Sequence, residues 1–145
     1  MSKREDAIAA LVTTLKTGLT GVDVKRDEPM PNNIDKVKRS LVSVFEGDPG
    51  EPEELLSPPS FIYNHRTEIE VYVRDGKAET RHSKMDALLS QIGTVLESSP
   101  TLGGAVDILT IGSPEFNDMS EAGMEAVKAA VVPVYLEYVT TNPLT

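Results

Sequence analysis

Cysteine is absent from this chain, which excludes a disulfide framework and any zinc–thiolate site. Aromatic residues are scarce, at 5% with no tryptophan. The basic cluster Lys36, Lys38 and Arg39 therefore has no interleaved aromatics, with only Phe45 downstream, and makes a weak nucleic-acid patch. Positive charge is also in short supply. A formal net charge of −9 makes most of the surface repel phosphates. No apolar run approaches the ~20 residues that span a bilayer. The charged start, Met1-Ser2-Lys3-Arg4-Glu5-Asp6, lacks the apolar stretch of a signal peptide. The expectation is a soluble protein made in a cytoplasm, without membrane contact.

What is present is organised around residues 61–96. Thr67, Ile69, Val71 and Val73 alternate with Glu68, Glu70, Tyr72 and Arg74, which predicts a strand with one apolar and one mostly charged face. After a break at Asp75-Gly76, Met85, Leu88, Leu89, Ile92, Val95 and Leu96 form one stripe at helical spacing. Ser83 is the expected N-cap, with Asp86 at the positive helix end. Ser98-Ser99-Pro100 ends the helix, because proline disfavours a helical residue before it. A half-apolar strand and a half-apolar helix bury one another as the two layers of a core.

The rest of the chain supplies further elements. Residues 2–18 read as a helix with the stripe Ile8, Leu11, Val12 and Leu15, a capping-box start at Ser2 and Glu5, and a terminator at Gly18. Residues 22–25 are a short strand, and 25–38 a loop containing Pro29, Pro31 and Asn32-Asn33. Residues 39–45 are a strand, apolar on both faces in its middle. The stretch 46–54 is acidic and rich in Pro and Gly, so no regular structure is expected there. It forms, with Leu55-Leu56 and Pro58-Pro59, a mobile acidic loop over about 46–59. Residues 101–104 are a turn, 105–111 a strand and 112–117 a loop. Residues 120–130 form either a short helix or an irregular crossover. Residues 131–141 are a last strand, with Val132, Val134, Leu136 and Tyr138 on one face; Pro133 places it at an edge or a bulge. The fold class expected is α+β: a mixed, largely antiparallel sheet of four or five strands, two helices on one face, and a single domain over 1–145.

Chemistry is hard to find. His65 and His82 each sit beside an arginine, with no second ligand at metal spacing on the same element, so both read as surface or strand-end residues. Gly112-Ser113-Pro114 lacks the flanking glycine of a nucleophile elbow. Gly103-Gly104 lacks the Lys-Ser/Thr of a phosphate loop. Glu68 and Glu70 share a strand face, but two solvated acids make no catalytic pair. The acidic stretch has no EF-hand pattern. No catalytic residue, cofactor or metal ligand is assigned, and a binding or assembly protein is expected over an enzyme.

Charge is divided along the chain. Residues 1–45 carry eight Lys or Arg against six Asp or Glu, whereas the remainder carries six against seventeen. Ordinary surface scatter would explain this; so would a subunit facing two different neighbours. Candidate interface residues are Lys36, Lys38 and Arg39 on one side. The acids Glu46, Asp48, Glu51, Glu53, Glu54, Glu68 and Glu70 form the other.

Taken together, several features resemble the tail terminator (tail completion) proteins of long-tailed bacteriophages and related prophage particles. They are the N-terminal helix with Arg4, Ile8, Leu11 and Leu15, then Val22-Asp-Val-Lys-Arg26. The strand Glu68-Ile-Glu-Val-Tyr-Val73 with its helix, Pro100-Thr-Leu-Gly-Gly-Ala-Val106, and Val134-Tyr-Leu-Glu-Tyr-Val-Thr-Thr141 complete the pattern. The order covers nearly the whole chain, although no single motif is specific and the acidic loop has no match. The resemblance implies a homohexameric ring that caps the tail tube, ends its polymerisation and presents the head-joining surface. Its partners would be copies of itself, the tube protein and a head–tail connector or neck protein. DNA would pass the lumen without specific binding. The resemblance implies a place in the virion, at the tail–head junction, after assembly in a bacterial host cytoplasm. It carries no catalytic residues and no cofactor. Another neck protein, a small enzyme, and a ligand-binding or regulatory domain are the rival readings.

Overall fold

Two strands form the spine of the structure. β4, Pro59–Arg74, pairs antiparallel with β7, Val127–Thr140, in an unbroken register from Phe61↔Thr140 to Arg74↔Val127. The computed structural model describes residues 1–28, 40–119 and 127–145. Alternation puts Tyr63, His65, Thr67, Ile69, Val71 and Val73 on one face of β4, all buried. Val132, Val134, Leu136 and Tyr138 of β7 share that face and are buried with them.

Each spine strand is flanked by a strand broken in two. Beside β4 lie β2, Ser40–Phe45, and then β3, Glu53–Leu56. Beside β7 lie β5, Ile108–Ile111, and then β6, Glu115–Met119. β1, Asp23–Arg26, adds to β2 in parallel, and every other pairing is antiparallel. The sheet is mixed and largely antiparallel as expected, but it has seven strands among the described residues rather than four or five. The difference comes from the two interruptions. Between β5 and β6, residues 112–114 oppose only Val132 and Pro133, which makes a bulge. Between β2 and β3, residues 46–52 loop away opposite 63–67. Glycine and proline at these places look like loops in sequence, yet pairing resumes just beyond them. The expected loops at 46–54 and 112–117 are thus partly strand.

Pro133 is accordingly not on an edge strand. Its carbonyl accepts from the Gly112 amide at 2.8 Å. In a strand, N and O of one residue point the same way, so the missing amide falls in the gap between β5 and β6. Gly112 is required there, because a Cβ would lie 2.5 Å from Pro133 Cγ.

Both helices cover the same face of the sheet. In α1, Lys3–Gly18, Ser2 Oγ accepts from the Glu5 amide at 3.1 Å, and Ala7, Ile8, Leu11, Val12 and Leu15 are buried. α2 spans Ala78–Glu97 and buries Met85, Leu88, Ile92 and Leu96. It begins at the Lys77 cap, ahead of the expected Ser83, because Asp75 turns the chain: its Oδ1 accepts from the Lys77 amide at 2.9 Å. A single 3-10 turn, Leu102–Gly104, leads to β5. The main core joins both helices to the sheet in one cluster. The ambiguous stretch 120–130 resolves at its end: β7 already begins at Val127. Residues 120–126 lie outside the described residues.

Candidate interaction surfaces

The sheet face away from the helices carries alternating polar side chains, as the period of two requires. Arg66 hydrogen-bonds Glu68, and the Tyr72 hydroxyl donates to Glu70. The bond to Glu68, and then one to Tyr135, holds the Arg66 pKa above its ordinary value. Burial first, then Glu70, raises that of Tyr72. Glu68 and Glu70 are thus each engaged by a different neighbour and form no converging acid pair. The face is also not polar throughout. Leu41, Tyr72, Val127 and Ala129 form a small buried cluster at the end where β4 finishes.

Glu46 ties the start of α1 to the sheet. Arg26 clasps Glu5 with two bonds, of 2.7 and 2.8 Å, and lies 3.7 Å from Glu46. Arg4 lies 3.4 Å from Glu46 on the other side. The bond from Arg26 holds the Glu5 carboxyl below its usual range, and the reciprocal bond holds Arg26 above its own. Asp27 Oδ1 accepts from the Glu46 amide at 3.2 Å. The Glu46 carbonyl faces His65 Nε2 at 2.7 Å.

His65 is fully buried, which corrects the expectation of a surface or strand-end residue. It lies on β4 opposite the interruption between β2 and β3, where the Glu46 carbonyl has no ladder partner. A carbonyl only accepts, so Nε2 carries the proton and Nδ1 accepts from the Tyr138 hydroxyl at 3.0 Å. Every buried polar side-chain atom among the described residues has a partner. This geometry assigns His65 a structural part. His82 lies exposed on α2, with its Nδ1 2.7 Å from Lys128 Nζ. Among the described residues, no group of three or more His, Asp or Glu has metal-binding geometry.

The expected interface residues separate. Lys36, Lys38 and Arg39 lie outside the described residues. Glu46 is half-buried in its own ion pairs, with 32% of its side chain exposed. Asp48, Glu51, Glu53 and Glu54 are all exposed, the last two on β3. β3 and the start of β4 form a hairpin arm whose four β3 residues are exposed, with Leu55 at 48% and Leu56 at 79%. Sequence reasoning named the arm's acids Glu53 and Glu54 as interface candidates but missed its strand pairing and its exposed leucines. The available signal was an apolar Leu55-Leu56 doublet inside a polar stretch. It also missed a basic region at the far end of β4: Lys77 and Arg81 lie at the start of α2, and His82 beside them contacts Lys128, next to exposed Phe116. Lys128 Nζ stands 5.0 Å from the Phe116 ring centroid. That region joins α2, β6 and β7, which are distant in sequence.

One further concavity lies between α2 and β5, an open groove of about 600 Å³. Ser90, Gly93, Thr94 and Glu97 line one wall, and Leu109 and Ile111 the other. Ile108 and Ile111 leave apolar surface exposed on this edge strand.

These features describe a single α+β domain whose two helices, among the described residues, both lie on one face of the sheet. No family model matches the chain, and no curated protein matches it in sequence.

Proposed function

We propose that this chain is a structural subunit of a tail-type particle, which caps the tube as a ring, ends its polymerisation and offers the head-joining surface. What carries the reading is the distribution of uncovered surface. Among the described residues both helices lie on one face; the other presents Arg66, Glu68 and Glu70 over its middle and buries Leu41, Ser43, Tyr72, Val127 and Ala129 at the end where β4 finishes. Among the described residues, β1 ends the sheet on one side and β5 on the other. A closed ring needs two different, complementary surfaces on each subunit, and a sheet ending in a different strand at each edge supplies them. The element order resembling tail terminators adds to this. Catalysis forms no part of the proposal.

The test is electron microscopy of particles assembled without this chain. Tubes of uncontrolled length lacking heads are expected. Tails of normal length joined to heads would refute the proposal. A ligand-binding reading from a different class rests on the α2–β5 groove, which is roomy enough for a small molecule. It predicts saturable ligand binding that Leu109→Arg abolishes.

A further inference from the structure

We infer that the hairpin arm of one copy docks on the basic end of a second copy, making an end-to-end contact between identical chains. The inference rests on the reading of this protein as an assembly subunit and names the surfaces that meet.

The first surface is the arm itself. Glu51, Glu53 and Glu54 are exposed, and none of them has a cationic partner among the described residues. The same arm ends in Leu55 and Leu56, the first about half exposed and the second mostly so. Clustered acids alone are most stable in water, and neighbouring exposed leucines alone are not. Together they specify a partner that is cationic and apolar at once.

The second surface has that chemistry. Lys77 is exposed at the start of α2. The Arg81 guanidinium donates to a carbonyl, Asp75 O, at 2.8 Å, and so keeps its charge uncompensated by that bond. Lys128 contacts the His82 ring and the Phe116 face, neither of which is a carboxylate. Of the described acids at this end, Asp75 is taken up by Lys84 at 2.8 Å, Glu79 stands exposed in the first turn of α2, and Asp118 is the register partner of Lys128, so the three cations outnumber the acids left to them. Phe116, 55% exposed, provides apolar surface beside these cations.

The two surfaces cannot meet within one molecule. The arm leads into β4 at Pro59, and the basic end begins beyond Arg74, where the same strand finishes. That strand is about 50 Å long at ~3.3 Å per residue. A pair of complementary surfaces held apart by a stiff strand is satisfied only between copies. Such a contact is heterologous, so repetition closes a ring or continues as a filament.

Sedimentation velocity on the full chain at low and high ionic strength tests this. The wild type is expected to self-associate at low ionic strength and to dissociate as salt screens the contact. Glu53→Lys/Glu54→Lys and Lys77→Glu/Arg81→Glu should each weaken association at least tenfold, with unchanged circular dichroism. An equimolar mixture of the two variants should associate again, because each arm then finds an opposite charge. Leu55→Ser/Leu56→Ser should also weaken it, without altering the salt dependence. A wild type that stays monomeric at low ionic strength overturns this contact, while tube capping is judged separately by the particle experiment. Failure of the mixture to recover overturns it too. So does association that survives Lys77→Glu/Arg81→Glu but is lost on substitution of Leu109 or Ile111, which would give the arm's seat to the α2–β5 groove.

Discussion

Substituting Gly18 by alanine probes a close approach of the two helices. Gly18 is the last residue of α1, and a Cβ placed on it would lie 2.6 and 2.7 Å from the two Cγ atoms of Val95 on α2, and 3.2 Å from its Cβ. Rotating Val95 gives little relief. Both methyls and the branching carbon are close, and a β-branched side chain in a helix has one strongly preferred rotamer. The helices must therefore separate slightly, and both are anchored in the core by Leu15, Ile92 and Leu96. Overpacking of this kind costs about 1–3 kcal/mol. Replacing glycine by alanine in a helix returns up to about 1 kcal/mol, and less at the final residue. The expected result for Gly18→Ala is a net loss of about 0.5–2 kcal/mol. Val95→Ala alone should lose about 0.5–1 kcal/mol, because the side chain is only partly buried. In the double variant the clash is gone, so stability should return to that of Val95→Ala or slightly above. Urea unfolding of the four proteins yields the coupling energy, expected at about 1–2 kcal/mol. If Gly18→Ala were more stable than the wild type, or the two changes simply added, the close packing of α1 on α2 would be refuted.

Other outcomes can be checked in the same way. His65→Leu removes the partner of both the Glu46 carbonyl and the Tyr138 hydroxyl, and should cost about 2–4 kcal/mol in urea unfolding. Adding Tyr138→Phe should recover part of that loss. Burial pushes the Tyr138 hydroxyl up to about 12. Its stabilising contribution is complete below the ordinary tyrosine value of 10 and is lost as pH rises toward about 12. Tyr138→Phe should therefore show a shallower fall in unfolding midpoint between about pH 10 and about pH 12 than the wild type. The Glu5 carboxyl lies below its ordinary 4.5 because of Arg26. Its advantage over Glu5→Gln should be present above pH 4.5 and disappear as pH falls through the lower folded value. Since the pair is partly exposed, the advantage should be about 0.5–1 kcal/mol and should shrink with salt. Gly112→Ala should lose about 1–3 kcal/mol through contact with Pro133, measured by thermal unfolding.

The local periodicities were enough to read both helices, the buried face of β4 and the inner face of β7. Each rests on neighbours along a single segment, such as Val132, Val134 and Leu136. The same reasoning failed where a break in sequence is bridged by a second strand. Glu53 and Glu54 look like solvated loop, but β4 offers them a ladder at Ile62 and Phe61. Pro133 suggested an edge or a bulge; β7 lies inside the sheet, and the bulge is in the neighbouring strand, which leaves the missing amide without consequence. His65 looked superficial until the Glu46 carbonyl and the Tyr138 hydroxyl closed around it.

Composition and pattern alone thus determined the absence of disulfides, the acidic balance, the two amphipathic helices and the α+β class, because those properties are written in residue types and short spacings. Tertiary structure decided the number of strands, the placing of both helices on one sheet face and the separation of an acidic, leucine-tipped arm from a basic, phenylalanine-bearing end. These depend on which distant segments share a ladder or meet across a fold, and a 16-residue strand is what holds the two ends apart.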